Sequence, residues 1–208
     1  MLVKLLHYTP VDIIVKAIRR CYDSDCLSDS TGEALGEKDL ELIRRIIESG
    51  HTSTIEHAVF TFDIDGISRA CLQELMRHRV ASPSVKSSRY CLGRIKNEEK
   101  IDLSPSGRKI GMQYLVGSGN YDVDNTAVMA LGQLRCLAIM GIPNDNLKYC
   151  MPEAMKTSLI LTINARSLRN LLELRLSIKA LWEIRELAGV LLGLIPESHK
   201  MLFEGLVK

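Results

Sequence analysis

Hydrophobic residues recur along this chain with two different periods, and each period predicts a different kind of secondary structure. In residues 57–65 every second side chain is hydrophobic, which is typical of a strand with one buried face. In residues 38–49 leucine and isoleucine recur at helical spacing, which predicts an amphipathic helix, and Gly50 follows as a stop signal. The chain therefore combines strands and helices.

The same two periods extend the prediction to the rest of the sequence. Strands are expected over residues 2–7, 57–65, 85–92 and 159–163. Helices are expected over residues 10–20, 38–49, 67–78, 124–140, 164–176, 180–194 and 196–207, with a short helix at Asn144. Residues 23–37 read as a loop and residues 93–123 as a variable insertion. Because strands and helices do not alternate strictly, we expect an α+β fold, with a mixed, largely antiparallel sheet flanked by helices in a single domain over residues 1–208.

Composition narrows the possible classes of protein. The 208 residues include 27 Lys or Arg and 25 Asp or Glu, so the net charge is +2, whereas a general nucleic-acid binder usually carries a larger basic excess. No apolar run approaches the ~20 residues of a membrane helix. The first ten residues become polar too early for a secretion signal. We therefore expect a cytoplasmic protein with no membrane or nucleic-acid partner.

The six cysteines do not form a recognisable metal site. None belongs to a Cys-x-x-Cys pair, which is the usual spacing of a structural zinc site. In a reducing cytosol we expect free thiols.

A basic segment (residues 77–96) follows one of the predicted helices. It contains six Lys or Arg and no Asp or Glu, with several serines between them. Arginine forks, hydroxyl groups and free backbone N–H groups are the donors that phosphate oxygens require. A run of basic residues can equally be a solvated surface, so residue types alone leave both interpretations open.

A second polar cluster lies near residues 164–175. Arg166 and Asn170 are four residues apart, which places them on one face of the predicted helix, and Arg175 comes near the same face. The leucines between them also allow a simpler interpretation, in which the arginines form the solvent-exposed face of an amphipathic helix.

A third cluster contains His51, Ser53, Glu56 and His57. Two histidines and a glutamate suggest a metal site, but the spacing differs from H-E-x-x-H and does not place the three side chains on one helical face. Hydrogen bonding at the start of the predicted strand explains these residues better, and we expect no metal. The sequence also contains no phosphate-binding loop and no G-x-S-x-G motif.

Four segments together resemble one enzyme family. Residues 77–87 read R-H-R-x7-S, and residues 87–90 continue as S-x-R-Y. Residues 51–57 read as H-x-S-x-x-E-H, and residues 164–168 and 180–184 read N-A-R-S-L and A-x-W-E-I. These motifs resemble those of the flavin-dependent thymidylate synthases, and the similarity runs from about residue 5 to residue 205. The sequence is especially similar to the members found in the Helicobacter and Campylobacter group.

The resemblance implies a reductive methylation. In this family dUMP becomes dTMP, methylenetetrahydrofolate donates the carbon, and bound FAD is reduced by NADPH. The resemblance also implies a homotetramer whose active sites combine residues from several subunits. An alternative is a nucleotide- or RNA-binding module that uses the basic segment. That module should expose aromatic side chains for base stacking, yet Tyr90 alone is near and aromatics are 5% of the chain.

The resemblance also implies roles for individual residues. Arg175 is the expected catalytic residue, because a cation beside the uracil ring favours the negative charge that develops there. The expected FAD contacts are Ser53, Arg77, His78, Arg79, Asn164, Arg166 and Asn170. The expected dUMP contacts are Gln73, Glu74, Arg77, Ser87, Ser88, Arg89, Lys148 and Arg175.

Four positions depart from the family pattern. Glu74 stands where glutamine is usual, and Lys148 replaces an arginine, which keeps the charge but loses the bidentate fork. Residues 84–85 are Ser-Val in place of the usual Asn-Glu, so one carboxylate of the expected site is missing.

Overall fold

The computed structural model describes residues 1–31 and 35–206, with the backbone alone for Tyr90 and Cys91. The strands are β1 (Leu2–Tyr8), β2 (Val59–Ser68), β3 (Ala81–Val85) and β4 (Lys156–Asn164). The helices are α1 (Asp12–Cys21), α2 (Glu37–Glu48), α3 (Arg69–Leu75), α4 (Ser88–Cys91), α5 (Pro105–Gln113), α6 (Tyr121–Ile139), α7 (Asn144–Leu147), α8 (Ala165–Arg175) and α9 (Trp182–Gly193). Short 3-10 helices span Asp25–Leu27, Thr54–His57, Leu92–Asn97, Lys148–Cys150 and Glu197–Phe203.

The strands form one sheet in the order β1-β2-β4-β3. The Thr9 N–H donates to the Val59 carbonyl over 2.9 Å, so the end of β1 lies beside the start of β2. The Ala165 N–H donates to the Ala58 carbonyl over 2.8 Å, so β4 also runs antiparallel to β2. The predicted α+β class with an antiparallel sheet is confirmed.

Strand β2 shows why its prediction succeeded. Phe60, Phe62 and Ile64 are completely buried, and the side chains between them are more exposed. The predicted end at Gly66 was wrong, because the strand continues to Ser68 although Gly66 has a φ of 76°. Glycine is the residue that takes a positive φ without steric cost, so it allows a local change of direction inside a strand.

The prediction of a strand over residues 85–92 was wrong. Strand β3 ends at Val85, and residues 88–91 form the short helix α4. Ser87 precedes α4 with extended backbone angles, in the position where serine commonly starts a helix. Strand β3 contains Pro83, which is tolerated because β3 lies at an edge of the sheet and not every N–H is needed for pairing.

The segment read as an insertion, residues 93–123, contains regular structure and contributes to a core. Helix α5 begins after Ser104, whose side chain accepts a hydrogen bond from the Gly107 N–H. Ile95, Ile101 and Leu115 are buried in a hydrophobic cluster. The status of this segment as a variable insertion stays a prediction.

Two further boundaries differ from the sequence prediction. Helix α6 starts at Tyr121, because the side chain of Asn120 accepts hydrogen bonds from the N–H groups of residues 122 and 123, whereas Asp124 was expected to cap it. Residues 196–207 were expected to be helical, and Glu197–Phe203 instead forms a 3-10 helix.

Some predictions fall on residues that the structure does not describe. Within the predicted loop 23–37, residues 32–34 lie outside the described residues, as does residue 207 of the last predicted helix.

The chain forms two compact units. Unit 1 comprises residue 1 with residues 65–75 and 85–159, and unit 2 comprises residues 2–64, 76–84 and 160–208. The core of unit 1 includes the buried side chains Leu92, Ile95, Ile101, Leu115, Val128, Leu131, Leu134, Leu147 and Met155. Buried side chains of unit 2 include Ile14, Ile18, Ile43, Phe60, Phe62, Leu168, Leu172, Ile184 and Leu187. Across the described residues, no helix is both long enough and apolar enough to cross a membrane.

Candidate functional site

Unit 2 contains a cavity of about 900 Å³, which we call the arginine cavity. One wall is the segment that follows α3, and the other is α8 with the loop after it. Its lining consists of Glu56, Arg77, His78, Arg79, Val80, Arg166, Ser167, Asn170, Leu174, Arg175, Ser177, Lys179 and Ala180. Six of the residues that the sequence predicts for cofactor or substrate therefore share one cavity: Arg77, His78, Arg79, Arg166, Asn170 and Arg175.

The arginine cavity favours an anionic ligand. Four arginines and Lys179 line it, whereas Glu56 is the one carboxylate among its described lining residues. Walls of one charge sign concentrate counter-ions of the opposite sign. Its volume is also at the upper end of the roughly 300–1,000 Å³ of typical small-molecule sites.

Helix α8 places its polar side chains in the cavity because of its amphipathic sequence. The helix begins at Asn164, whose side-chain oxygen accepts the Ser167 N–H over 2.8 Å. Leu168, Leu171 and Leu172 are buried on one side. Residues 166, 170 and 174 follow each other at intervals of four, so they share the face that lines the cavity.

Arg175 and His78 are in direct contact. The Arg175 Nε–H donates to His78 Nε2 over 3.0 Å. A guanidinium has donors and no acceptor, so His78 must offer an unprotonated Nε2 in this arrangement. The contact therefore fixes the orientation of the Arg175 guanidinium relative to the His78 ring.

Arg166 makes the second polar contact of the cavity. Its guanidinium donates to Glu56 Oε1 over 2.6 Å, and the side chains are 54% and 43% exposed. An ion pair this exposed contributes little to stability, typically about 0–1 kcal/mol. Glu56 belonged to the third sequence cluster, and here it positions an arginine. Among residues 1–31 and 35–206, no group of three His, Cys, Asp or Glu side chains could hold a metal ion.

Described residues of unit 1 also line two smaller cavities. The first, about 550 Å³, is lined by Arg69, Arg89, Asp145, Lys148 and Tyr149, and we call it the outer cavity. The second, about 310 Å³, we call the inner cavity. Its lining consists of Asp65, Gly66, Arg69, Lys86, Ser88, Arg94, Gln113, Tyr114, Met151, Met155, Lys156, Thr157 and Ser158. Three of the predicted dUMP residues therefore line cavities of unit 1: Ser88, Arg89 and Lys148.

Several positively charged side chains line each of the two smaller cavities. In the outer cavity, Arg89 Nε lies 3.2 Å from Asp145 Oδ1. In the inner cavity, the Ser158 hydroxyl donates to Asp65 Oδ1 over 2.6 Å. Burial, with a hydrogen bond to Glu98, raises the pKa of Tyr114 to about 12, so the phenol is neutral at physiological pH and adds no negative charge.

Several predicted site residues lie outside the linings of these three cavities. They are Ser53, Gln73, Glu74, Ser87 and Asn164. Gln73 donates from Nε2 to Glu153 Oε2 over 2.9 Å, and Asn164 caps α8. The roles predicted for these five residues stay predictions.

The sequence interpretation also missed residues that line the arginine cavity. Lys179 and the hydroxyls of Ser167 and Ser177 were not predicted. The spacing offered one signal: Lys179 follows Arg175 by four residues. That signal was weak because the residues between them belong to a loop and not to a continuous helix.

Taken together, the antiparallel sheet with helices and the arginine-lined cavity are typical of a protein with a site for an anionic ligand of nucleotide size. Comparison with known proteins agrees. The family described as Thymidylate synthase complementing protein matches residues 4–199. A flavin-dependent thymidylate synthase from Campylobacter jejuni is 47% identical over 98% of this chain and 96% of its own length. The corresponding protein from Wolinella succinogenes is 49% identical over 98% and 97%.

A solved structure gives the same result. The crystal structure of thymidylate synthase X from Helicobacter pylori with FAD and dUMP superposes with a TM-score of 0.92 at 46% identity, over 100% of both chains. This chain belongs to the flavin-dependent thymidylate synthase family, as its motifs indicated. The alternative, a nucleotide- or RNA-binding module that uses the basic segment, receives no support from these relatives.

Proposed function

We propose that this protein converts dUMP to dTMP as an FAD-dependent thymidylate synthase. The observation that carries the proposal is the arginine cavity, because six residues of the family motifs, taken from two distant segments, line it together. Relatives at 46–49% identity over nearly the whole chain bear that activity in their names, and a relative's structure holds FAD and dUMP.

The residues of the arginine cavity fit FAD. Its diphosphate requires several hydrogen-bond donors, which Arg77, Arg79 and Arg166 supply as charged forks. Its ring system requires apolar contact, which Val80 and Leu174 supply. FAD bound in this cavity would supply the redox chemistry of the proposed reaction, so the proposal requires no cysteine nucleophile.

Arg175 is the catalytic residue of the proposal. A guanidinium keeps its proton at every physiological pH, so Arg175 remains a cation throughout the reaction. Placed at the edge of the uracil ring, it donates hydrogen bonds to the oxygen and nitrogen atoms that gain negative charge. The contact with His78 through Nε fixes the orientation of the guanidinium for this task.

The phosphate of dUMP is the proposed ligand of Ser87, Ser88, Arg89 and Lys148. Arg89 already contacts Asp145, but the two side chains are 54% and 69% exposed, so that contact is weak and a dianionic phosphate displaces it at little cost. Lys148 contributes charge without a fork, so we assign the orientation of the phosphate to Arg89.

The assembly and the other substrates complete the proposal. Arg77 and Arg175 belong to unit 2, whereas Ser88, Arg89 and Lys148 belong to unit 1. We propose a cytoplasmic homotetramer in which different subunits contribute these residues to each active site. NADPH is the proposed reductant, and methylenetetrahydrofolate is the proposed carbon donor.

Purification tests the proposal directly. The protein should be yellow and contain about one FAD per chain, and it should form dTMP from dUMP, methylenetetrahydrofolate and NADPH. Omission of any one substrate should stop product formation. The variant Arg166→Ala should lose FAD, while Arg44→Ala, which removes an exposed arginine of α2, should retain it. A colourless protein that cannot be loaded with FAD and forms no dTMP would contradict the proposal.

A further inference from the structure

Arg69 is a charged residue whose side chain lacks one hydrogen-bond partner within the described structure. It is the first residue of α3 and is partly buried. Its Nε is buried and has no hydrogen-bond partner among residues 1–31 and 35–206. The Arg69 backbone N–H donates to the Met155 carbonyl over 3.0 Å, so the position of the residue is fixed while its side chain lacks a partner at Nε.

A buried donor without a partner is costly, and for arginine the cost cannot be avoided by losing a proton. Other buried titratable groups become neutral, but the guanidinium remains charged at any pH at which proteins are folded. Proteins satisfy the great majority of such groups with a partner. Arg69 therefore stays positively charged, and the part of its side chain that lines a cavity attracts an anion.

The location of Arg69 indicates which anion. Arg69 lines both the outer and the inner cavity of unit 1. The outer cavity also presents Arg89 and Lys148, and the inner cavity presents Ser88. Arg69 is thus next to all three predicted dUMP residues that line cavities of this unit, although no family motif included it.

Each of the two cavities has one carboxylate among its described lining residues. Asp145 lies against Arg89, and Asp65 accepts the Ser158 hydroxyl. The outer cavity alone has three positively charged lining residues, Arg69, Arg89 and Lys148. A dianion held by several charge-assisted hydrogen bonds suits this excess of positive charge better than a single carboxylate does.

We propose that Arg69 binds the phosphate of dUMP. This inference rests on the proposed function and adds to it a residue that the sequence motifs do not contain. Arg69 supplies a second guanidinium fork beside Arg89, and this fork makes up for Lys148, which supplies charge but no fork.

Steady-state kinetics with two substrates test this assignment. In Arg69→Gln the KM for dUMP should rise about 10-fold or more, as expected for the loss of a hydrogen bond to a charged group. The kcat/KM for deoxyuridine, which lacks the phosphate, should match that of the unaltered protein. The FAD content and the KM for NADPH should not change. Lys109→Gln, which removes one exposed charge from the same unit, should leave all these values unchanged.

Two further measurements separate phosphate binding from a structural role. Arg69→Lys should recover part of the lost affinity because it restores the charge without the fork. Without ligand, the thermal midpoint of Arg69→Gln should equal or exceed that of the unaltered protein, because a buried unpaired group has been removed. A large fall in that midpoint would assign Arg69 a structural role and overturn the proposal.

The remaining outcomes are also distinguishable. An unchanged KM for dUMP in an active Arg69→Gln enzyme would overturn the inference while leaving the proposed function intact. A raised KM for NADPH with an unchanged KM for dUMP would place the phosphate of the reductant at Arg69 and would also overturn it. If the unaltered protein forms no dTMP at all, the proposed function itself fails.

Discussion

Arg175 carries the chemistry of the proposed reaction, and its contact with His78 makes that role testable. The replacement Arg175→Ala removes the cation beside the developing charge of the pyrimidine. We expect the rate of dTMP formation to fall by about 100-fold or more, which is the usual effect of losing one preorganised donor. FAD should remain bound, because Arg77, Arg79 and Arg166 still line the cavity. The initial rate of dTMP formation and the ratio of flavin to protein measure the two effects.

The variant Arg175→Lys provides the matched control. It keeps the positive charge but loses the Nε–H that donates to His78, so the cation is no longer oriented. Its activity should lie between those of Arg175→Ala and the unaltered protein. Full activity in Arg175→Ala would remove this residue from the mechanism.

At the level of single residues, the sequence motifs predicted part of the lining of the arginine cavity. Arg77, Arg166 and Arg175 were predictable because long motifs of fixed spacing contain them. Lys179 and Glu56 line the same cavity, but their place depends on a loop and on a 3-10 helix. Arg69 could not be predicted, since a missing hydrogen-bond partner is a property of the folded chain.

A buried ion pair connects helices α1 and α2 with the loop between them. The Arg19 guanidinium donates to the Asp39 carboxylate, which also accepts the hydroxyls of Ser28 and Ser30. Both partners of the ion pair are buried. Burial alone would raise the pKa of Asp39, but the hydrogen bonds from Ser28, Ser30 and Arg19 outweigh it, and the net pKa lies below the ordinary value of 3.8.

The ion pair predicts how stability depends on this carboxylate and on pH. Asp39→Asn should lower the free energy of unfolding by about 3–5 kcal/mol, because Arg19 is left as a buried charge. Since folding lowers the pKa of Asp39, its stabilising contribution is complete above the ordinary value of 3.8 and is lost as the pH falls through the folded pKa. Urea unfolding between pH 7 and 3 should show a smaller acid-induced loss in Asp39→Asn. Identical pH profiles would contradict this account.

At the level of elements, a strand or helix was predicted correctly where the hydrophobic pattern that indicates it lies within one short segment. The alternation in β2 and the leucines of α8 are local patterns, and both elements formed as expected. The error at residues 85–92 has a different origin. Ser87 can belong to a strand or start a helix, and the choice depends on the pairing of β3 at the sheet edge, which a local pattern does not contain.

For the whole molecule, the division of the predicted active site between two units is the important feature. Residues proposed to hold FAD and the uracil ring lie in unit 2, and residues proposed to hold the phosphate lie in unit 1. Helix α6 also carries large hydrophobic side chains on its solvent-exposed surface. Four of them are each more than half exposed: Tyr121, Val123, Met129 and Ile139. Exposed apolar surface of this kind is typical of a contact with another protein surface. Both observations agree with an assembly that covers apolar surface and completes the sites.

Dilution of the protein tests the proposed assembly. If FAD is held by more than one subunit, dissociation of the tetramer should release it, and the fluorescence of free flavin should rise over the same concentration range in which sedimentation shows smaller species. Added dUMP should shift both transitions to lower protein concentration, because a ligand that binds only the assembled site stabilises the assembly by mass action. Deoxyuridine at equal concentration should shift them less, since it lacks the phosphate. A monomer that retains FAD with unchanged affinity would show that one chain holds the cofactor alone, and the shared site would have to be abandoned.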